Sequence, residues 1–338
     1  MEQREEETNE NTQRKRRKTS SPSFTPVDVT SEIFLRLPAK SVVRFFVVTI
    51  PQQNRIPKES YSYSSSQILD SYYTTYPKSV CFTIKTESVH GLICFQRGTK
   101  PILWNPTMRK FLPLPKPDTS WETLTTFLGY DPVEVESVEK SWRTVKNNYK
   151  HRPCRGNRKD NYGPCRCING VLYYRAEIGP NKFIMSFDVN SEKFHKITLP
   201  WGGGVAPTMM VSYKGKLAYL GCYSYQIKNS LLMWVLEDAE KSEWSSHSFL
   251  PISHYDRGAE NNFKLIGTTN DGELIYVPNT VFESFDVVYI DPVRVTFRRV
   301  KYKGVADKDF RRRNGLGDDK AFRGVQYSPN HIETLMSL

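Results

Sequence analysis

The sequence predicts a mainly β protein, with a short helical segment near its N-terminus and a long body of antiparallel strands. Aromatic residues make up 13% of its 338 residues, and tyrosine and phenylalanine, which favour strands, number 19 and 18. Short apolar runs bounded by turn residues recur from residue 79 to residue 304. No long amphipathic helix separates these runs, which argues against βαβ units and favours antiparallel sheets.

The body contains a repeated unit that begins with a glycine-led strand and ends with an aromatic residue after a polar turn. The glycine-led strands are HGLICF at residue 90, NGVLYYRA at 169, KGKLAYLG at 214 and DGELIYVP at 271. The aromatic residues are Phe111, Phe194, Trp244 and Phe297, spaced by 83, 50 and 53 residues. A period near 50 residues is typical of a kelch-type propeller blade of four strands. A plain β-meander is the alternative, but the constant order within the unit favours a propeller.

The longer first interval leaves room for part of a further blade. TFLGYDP at residue 126 would open it, and SWRTV at residue 141 would supply its aromatic strand. Loops at one end of such a propeller would form a broad binding surface.

The N-terminal 49 residues divide into two parts. Residues 1–24 hold almost no apolar side chains and are predicted to be disordered. Residues 25–49 are predicted to form two helices, because apolar residues recur on one helical face and a Leu-Pro break precedes a second apolar run. The positions expected to contact a partner surface are Pro26, Val29, Ile33, Phe34, Leu37, Pro38, Val42 and Val43. Two such short helices cannot fold alone, so they need the body or another chain to pack against.

Two segments flank the body. Residues 50–78 are rich in serine, tyrosine and proline without periodicity, and are predicted to be a linker. Residues 305–338 are predicted to be a basic C-terminal tail, with one strand at GVQYSP.

Five consecutive cations in the N-terminal tail are a candidate nuclear-import signal. They are Arg14, Lys15, Arg16, Arg17 and Lys18. A solvated charge run is the alternative, so the expected location is the nucleus, the cytoplasm or both.

The net charge of +12 is concentrated in two stretches of the body. Residues 140–166 hold nine Lys/Arg and one Asp, and residues 294–323 hold eleven Lys/Arg and four Asp. Such stretches can attract nucleic acid, but no base-stacking or groove-reading pattern accompanies them. A solvated basic surface is therefore the favoured interpretation, and nucleic acid is an unfavoured partner.

The sequence predicts no catalytic centre, metal site or cofactor. Cys154, Cys165 and Cys167 cluster near His151, but their spacings of ten residues and one do not match the paired C-x₂₋₄-C pattern of zinc sites. None of the six histidines lies in a metalloprotease or nucleophile-elbow motif. No apolar run reaches the roughly 18 residues of a membrane span, so no membrane partner is expected.

The segment FTPVDVTSEIFLRLPAKSVVRFFVV resembles the first half of an F-box: a proline, an acid-flanked helix ending in Leu-Pro, and a basic-Ser-apolar-apolar-Arg-aromatic run. The body resembles the F-box-associated interaction domain of a large plant family. The phrases that carry this resemblance, in order, are GLICF, LWNPTMRKFLPLP, FLGYDPVE, SWRTV, CINGVLYY and SFDVNSEKF. The resemblance spans about residues 25 to 304.

This resemblance implies a non-catalytic substrate-recognition subunit of a Skp-cullin-F-box ubiquitin ligase. The helices would dock on a Skp-family adaptor that links to the cullin core, and the kelch-like body would bind an unidentified target protein. Two departures from the family pattern predict a truncated F-box and an incomplete blade: TIPQQNRIPKES lacks the expected tryptophan, and only Val135 to Lys140 remain before SWR. A protein-binding propeller without a ligase link is therefore the alternative function.

Overall fold

The computed structural model describes most of the body and none of the first 41 residues. The described residues are 42–51, 64–68, 71–77, 84–97, 100–108, 110–114, 127–130, 145, 149, 151–154, 165–200, 207–222, 230–256, 262–281, 284–303, 308–313, 326–331 and 335. The chain divides into two units, Met1–Arg36 and Leu37–Leu338, and all of these residues belong to the second.

Four antiparallel sheets form the blades of a β-propeller, as the sequence predicts. Blade 1 contains β4 (Ile84–Lys85), β5 (Ile93–Arg97), β6 (Lys100–Asn105) and β7 (Lys110–Pro113). Blade 2 contains β8 (Arg152–Pro153), β9 (Cys165–Ile168), β10 (Val171–Ile178), β11 (Asn181–Asp188) and β12 (Lys193–Ile197). Blade 3 contains β13 (Pro207–Tyr213), β14 (Lys216–Cys222), β15 (Leu231–Asp238) and β16 (Glu243–Phe249). Blade 4 contains β17 (Phe263–Thr268), β18 (Leu274–Pro278), β19 (Ser284–Asp291) and β20 (Thr296–Lys303).

A fifth sheet, here the closing sheet, joins the two ends of the second unit. It has the strand order β21-β1-β3, with β1 at Val42–Pro51, β3 at Ser71–Pro77 and β21 at Gln326–His331. Between β1 and β3, strand β2 (Ser64–Ile68) adds in parallel to the outer edge of β20 in blade 4. Helix α1 (Ile252–Tyr255) lies between β16 and β17, and helix α2 (Lys308–Arg313) lies between β20 and β21.

The predicted repeat is confirmed by turns of the same geometry in successive blades. His90–Gly91, Asn169–Gly170 and Lys214–Gly215 all have φ between 49° and 78° at both positions. A two-residue hairpin turn of this type needs two residues in the left-handed region, and glycine adopts that region without steric cost. The glycine-led strands therefore begin where a tight turn returns the chain along its own sheet.

The end of each repeat is equally regular. The third strand ends in an Asn or Asp whose side-chain oxygen accepts the backbone N–H three residues later, and the aromatic residue follows six positions after that Asn or Asp. These residues are Asn105, Asp188, Asp238 and Asp291, with N–H···O distances of 2.7–3.1 Å. Their aromatic partners Phe111, Phe194, Trp244 and Phe297 face Trp104, Phe187, Leu236 and Ile290 of the third strand. The polar turn thus sets the register that packs the partly buried aromatic residue against the core.

The core lies between blades, because each blade is apolar on both faces. One apolar cluster joins Ile184 and Ile197 of blade 2 to Leu217 of blade 3. Another joins Met233 of blade 3 to Leu274 of blade 4. Burial on both faces explains why the inner strands read as continuous apolar runs such as LLMWVL rather than as alternating patterns.

The predicted second helix of residues 25–49 is wrong for residues 42–49, which lie in strand β1 (Val42–Pro51). Val42 and Val43 lie opposite Pro77 and Tyr76 of β3. Valine is stiff at χ1 and favours strands over helices, and this run contains four valines. Pairing on both edges of β1 then outweighs the helical pattern.

The predicted linker and C-terminal tail also need correction. Residues 50–78 contain β2 and β3, and residues 305–338 contain α2 and β21. Neither segment shows a strong periodicity, because its strands are defined by pairing with distant parts of the chain. The predicted strand at GVQYSP is confirmed, as β21 begins at Gln326. The predicted further blade lies mostly outside the described residues.

Candidate protein-binding surface

The connections between strands alternate between two ends of the propeller, because consecutive strands of each blade are antiparallel. The glycine turns and the Asn or Asp turns share one end, here the short-turn end. The connections between second and third strands, and those between blades, share the other, here the long-connection end.

Contacts between neighbouring blades fix the positions of the glycine turns relative to one another. Asn169 Nδ2 in blade 2 donates to the carbonyl of Gly215 in blade 3 at 3.4 Å. The Thr268 hydroxyl in blade 4 donates to the carbonyl of Ser212 in blade 3. Gly272 lies so close to blade 3 that an added Cβ would stand 2.8 Å from the Tyr213 ring. The short-turn end is therefore tightly built and offers few long loops.

The longer connections between strands, which are the segments most available for contact with a partner protein, lie at the long-connection end. Strand β12 ends at Ile197 and β13 begins at Pro207, while β14 ends at Cys222 and β15 begins at Leu231. Between β16 and β17 the chain runs from Phe249 to Phe263. Long connections on a rigid scaffold are where binding residues concentrate, because they tolerate sequence change without loss of the fold.

Exposed apolar and charged side chains lie in the described part of this end, and Val293 and Val295, which are 64% and 49% exposed, lie in the Asp291 turn of the short-turn end. Ile178 and Leu250 are each 38% exposed, and both lie where a strand meets a long-connection-end turn. The Arg152 side chain is 81% exposed and forms an ion pair with Glu177. Apolar side chains beside charged ones are a common composition for protein-binding surfaces.

A buried ion pair joins blade 1 to blade 2 near the short-turn end. Arg166 Nε lies 3.1 Å from Glu87 Oε2, and its side chain is only 6% exposed. The backbone N–H of Cys167 donates to Glu87 Oε1 at 3.1 Å. Burial raises the pKa of Glu87, while Arg166 and the Cys167 N–H oppose that rise. The sequence reasoning missed this pair, because residues 79 positions apart carry no shared pattern.

Many described arginines of the two basic stretches bind carboxylates within the chain. Arg298 contacts Glu273 at 2.9 Å, and Arg299 contacts both Asp256 and Asp286. Arg294 pairs with Asp291. Cations already paired with carboxylates release fewer counterions from a nucleic-acid backbone, so these pairs count against a nucleic-acid interface.

The clustered cysteines lie in and beside blade 2 as free thiols. Burial raises the pKa of Cys165 to about 12 and that of Cys167 to about 11. His151 Nε2 instead contacts the Tyr174 hydroxyl at 2.7 Å. Within the described ranges, no three His, Cys, Asp or Glu side chains are grouped to hold a metal ion. Protonated thiols are poor nucleophiles and poor metal ligands.

The predicted adaptor-binding residues are divided by the structure. Val42 and Val43 lie in β1, whereas the remaining six and the cationic run of residues 14–18 lie outside the described residues. None of the helices in the described part of the chain has the length and apolar character needed to cross a membrane.

Solved structures resemble the chain only weakly. The WD40 domain of SCAP from fission yeast aligns with a TM-score of 0.22 at 9% identity, covering 70% of this chain and 57% of that one. A dipeptidyl peptidase 4 of Porphyromonas gingivalis aligns with a TM-score of 0.32 at 10% identity, covering 71% of this chain and 36% of that one. Likeness at this level supports no inference about function.

Comparison of sequences identifies the family of this chain, which the structural comparison does not. The family described as F-box associated beta propeller domain matches residues 34–137 and 134–332. An F-box protein of Arabidopsis thaliana is 55% identical over 371 aligned positions, which cover 93% of each chain. A putative F-box protein of the same plant is 53% identical over 395 positions, covering all of both chains. Since 395 positions exceed the 338 residues present here, that relative carries internal segments that this chain lacks. The chain therefore belongs to the plant F-box proteins that carry an F-box associated β-propeller domain.

Proposed function

We propose that this protein is the substrate-recognition subunit of a Skp-cullin-F-box-type ubiquitin ligase. Membership of the F-box family carries the proposal. The N-terminal segment binds the Skp-family adaptor and thereby the cullin core, and the long-connection end of the propeller binds the target protein. The protein itself is a non-catalytic receptor, because its task is to hold the target near an enzyme.

The adaptor contact is apolar. Helix spacing places Val29, Ile33 and Leu37 on one stripe, which can lie in a groove of a partner. Each well-buried aliphatic side chain contributes about 1.5–3 kcal/mol, so a few of them support micromolar affinity after the cost of association is subtracted.

Ile33→Asp and Leu37→Asp are each expected to weaken adaptor binding by at least tenfold. The substitution removes the free energy gained by burying the aliphatic side chain, and the new carboxylate must also lose its hydration in an apolar groove. Adaptor affinity of the full-length chain, measured by titration calorimetry, checks this prediction.

Ser31→Asp is the matched control, since a helix places residue 31 on the face opposite the stripe. It is expected to bind like the wild-type chain. If wild type, Ile33→Asp, Leu37→Asp and the control all bind with the same affinity, the stripe is not the adaptor contact.

A binding protein without a ligase link is the second candidate, and β1 is the observation that favours it. Residues expected in the second F-box helix are paired in the closing sheet instead. This candidate predicts no adaptor binding by the full-length chain, together with retained capture of a target by residues of the propeller.

The cationic run Arg14–Lys18 is proposed to direct nuclear import. Replacing Arg16 and Arg17 with glutamine is expected to move a fluorescent fusion of the full chain from nucleus to cytoplasm, because import signals require clustered positive charge. The same double replacement at Arg155 and Arg158 keeps the net charge equal and serves as control. An unchanged nuclear fraction in the Arg16/Arg17 variant would refute the proposal.

A further inference from the structure

We propose that residues 42–49 serve two mutually exclusive structures: most of strand β1 of the closing sheet and the second helix of the adaptor-binding segment. Adaptor binding and the closing sheet then compete for the same residues. This inference rests on the proposed function and adds a mode of regulation to it.

The pairing of β1 makes the two structures incompatible. Val42 to Val48 pair antiparallel with β3, and Val47, Val48 and Thr49 pair in parallel with β21. As a strand, these eight residues span about 26 Å, whereas as a helix they span about 12 Å. A helix also uses its backbone N–H groups internally, so neither ladder can survive the change.

The sequence of this segment supports both structures. The run AKSVVRFF resembles the second F-box helix, and its helical form would present Val42 and Val43 to the adaptor. The valines at 42, 43, 47 and 48 favour a strand. Because the segment has features of both a helix and a strand, the fraction of chains in each form depends on which binding partner is present.

Strand β21 is held in place by contacts that do not involve β1. The Asn330 side chain donates to the Thr268 carbonyl at 2.6 Å in blade 4. Tyr327 is 6% exposed within the apolar cluster of blade 4, and its hydroxyl donates to the Pro278 carbonyl at 3.3 Å.

The other side of β21 reaches blade 1. His331 Nδ1 and Ser88 Oγ are joined by a hydrogen bond of 2.8 Å. Strand β21 therefore bridges blade 4 and blade 1 through its own side chains. Because β1 is the central strand in the order β21-β1-β3, its departure takes the closing sheet apart, while the side-chain bridge of β21 between blade 4 and blade 1 remains. The switch is therefore local rather than global.

The test weakens β1 pairing without altering residues 42–51. Tyr73→Pro combined with Thr74→Pro removes at least one ladder bond of β3, because alternate residues of an antiparallel pair exchange bonds. Asn54→Pro combined with Arg55→Pro is the control, since these residues lie outside β1, β2 and β3. Adaptor affinity is measured for both variants and for wild type as full chains.

Competition predicts that the β3 variant binds adaptor about tenfold more tightly than wild type and control, because a larger fraction of its chains has β1 released. Hydrogen exchange should show the amides of β3 losing protection in wild type when adaptor is added, because β3 pairs only with β1 in the closing sheet, while β13–β16 stay protected. Equal affinity of all three chains, with protection of the β3 amides unchanged when adaptor is added, overturns the competition and leaves the proposed function standing. No adaptor binding by any of the three chains overturns both.

Discussion

Gly272→Ala is expected to lower the free energy of unfolding by about 2–4 kcal/mol, the sum of a backbone cost and an overpacking cost. Gly272 has a φ of 92°, in the left-handed region that disfavours any side chain. Its new methyl group would lie 2.8 Å from the ring of Tyr213, which is 8% exposed in the core between blades 3 and 4. The nearby Lys214 side chain can swing aside, but the tyrosine ring is held by its neighbours.

Gly179→Ala separates the two costs. Gly179 has a φ of 57°, and an added Cβ there would meet no atom within 4 Å. This control is expected to lose only about 1–2 kcal/mol from the backbone. Chemical denaturation of both variants measures the difference, which combines the overpacking of blade 4 against blade 3 with the larger backbone cost of a φ of 92° than of 57°. Equal losses at the two positions would show that the blades are not in close contact at this turn.

Arg166→Met is expected to destabilise the protein by about 2–4 kcal/mol at neutral pH, because it leaves the Glu87 carboxylate buried without its cation. The Glu87 side chain is 27% exposed, which places the expected loss below that of a fully buried pair. Adding Glu87→Gln to Arg166→Met should restore much of the stability, since an amide needs no counter-charge. Lys216→Met is the control, because the pair of Lys216 with Glu237 is 51% and 40% exposed and should contribute less than about 1 kcal/mol.

The pH dependence of the Arg166→Met variant distinguishes charge from packing. The pKa of Glu87 in the folded wild type lies above its ordinary value of 4.5, and loss of Arg166 removes the main opposition to that rise. A raised folded pKa means that the folded state binds the proton more tightly, so stability is retained at low pH and lost as pH rises through the folded pKa. The deficit of the variant relative to wild type should therefore shrink between pH 7.5 and pH 5. A deficit that stays constant over this range would indicate lost packing of the arginine stem.

The repeated unit shows how much of this fold can be predicted from sequence. Asn-Gly, Lys-Gly and His-Gly turns at 169, 214 and 90 impose local geometry that few other dipeptides tolerate. The six-residue interval from Asp188 to Phe194 recurs in all four described blades, because a hydrogen-bonded turn and a partly buried aromatic partner both constrain it. Such signals are local, so they survive in the sequence as a pattern.

The closing sheet shows why the rest could not be predicted. Strand β1 pairs with residues more than 270 positions away, and its helical resemblance points to another structure. The ion pair between Glu87 and Arg166 likewise depends on two blades meeting side by side. Of the candidate adaptor residues, the structure relocates Val42 and Val43 to a strand, and the others remain predictions.

By itself, the sequence determined that this protein is a β-propeller of repeated four-stranded units with an F-box-like N-terminal segment. Turn residues, register and apolar runs act within one repeat of the chain and therefore leave a pattern in the sequence. Only the tertiary structure decided how the propeller closes, which arginines are neutralised by carboxylates and which end carries the long connections. These features depend on contacts between distant segments, where the free energy of pairing outweighs local preference.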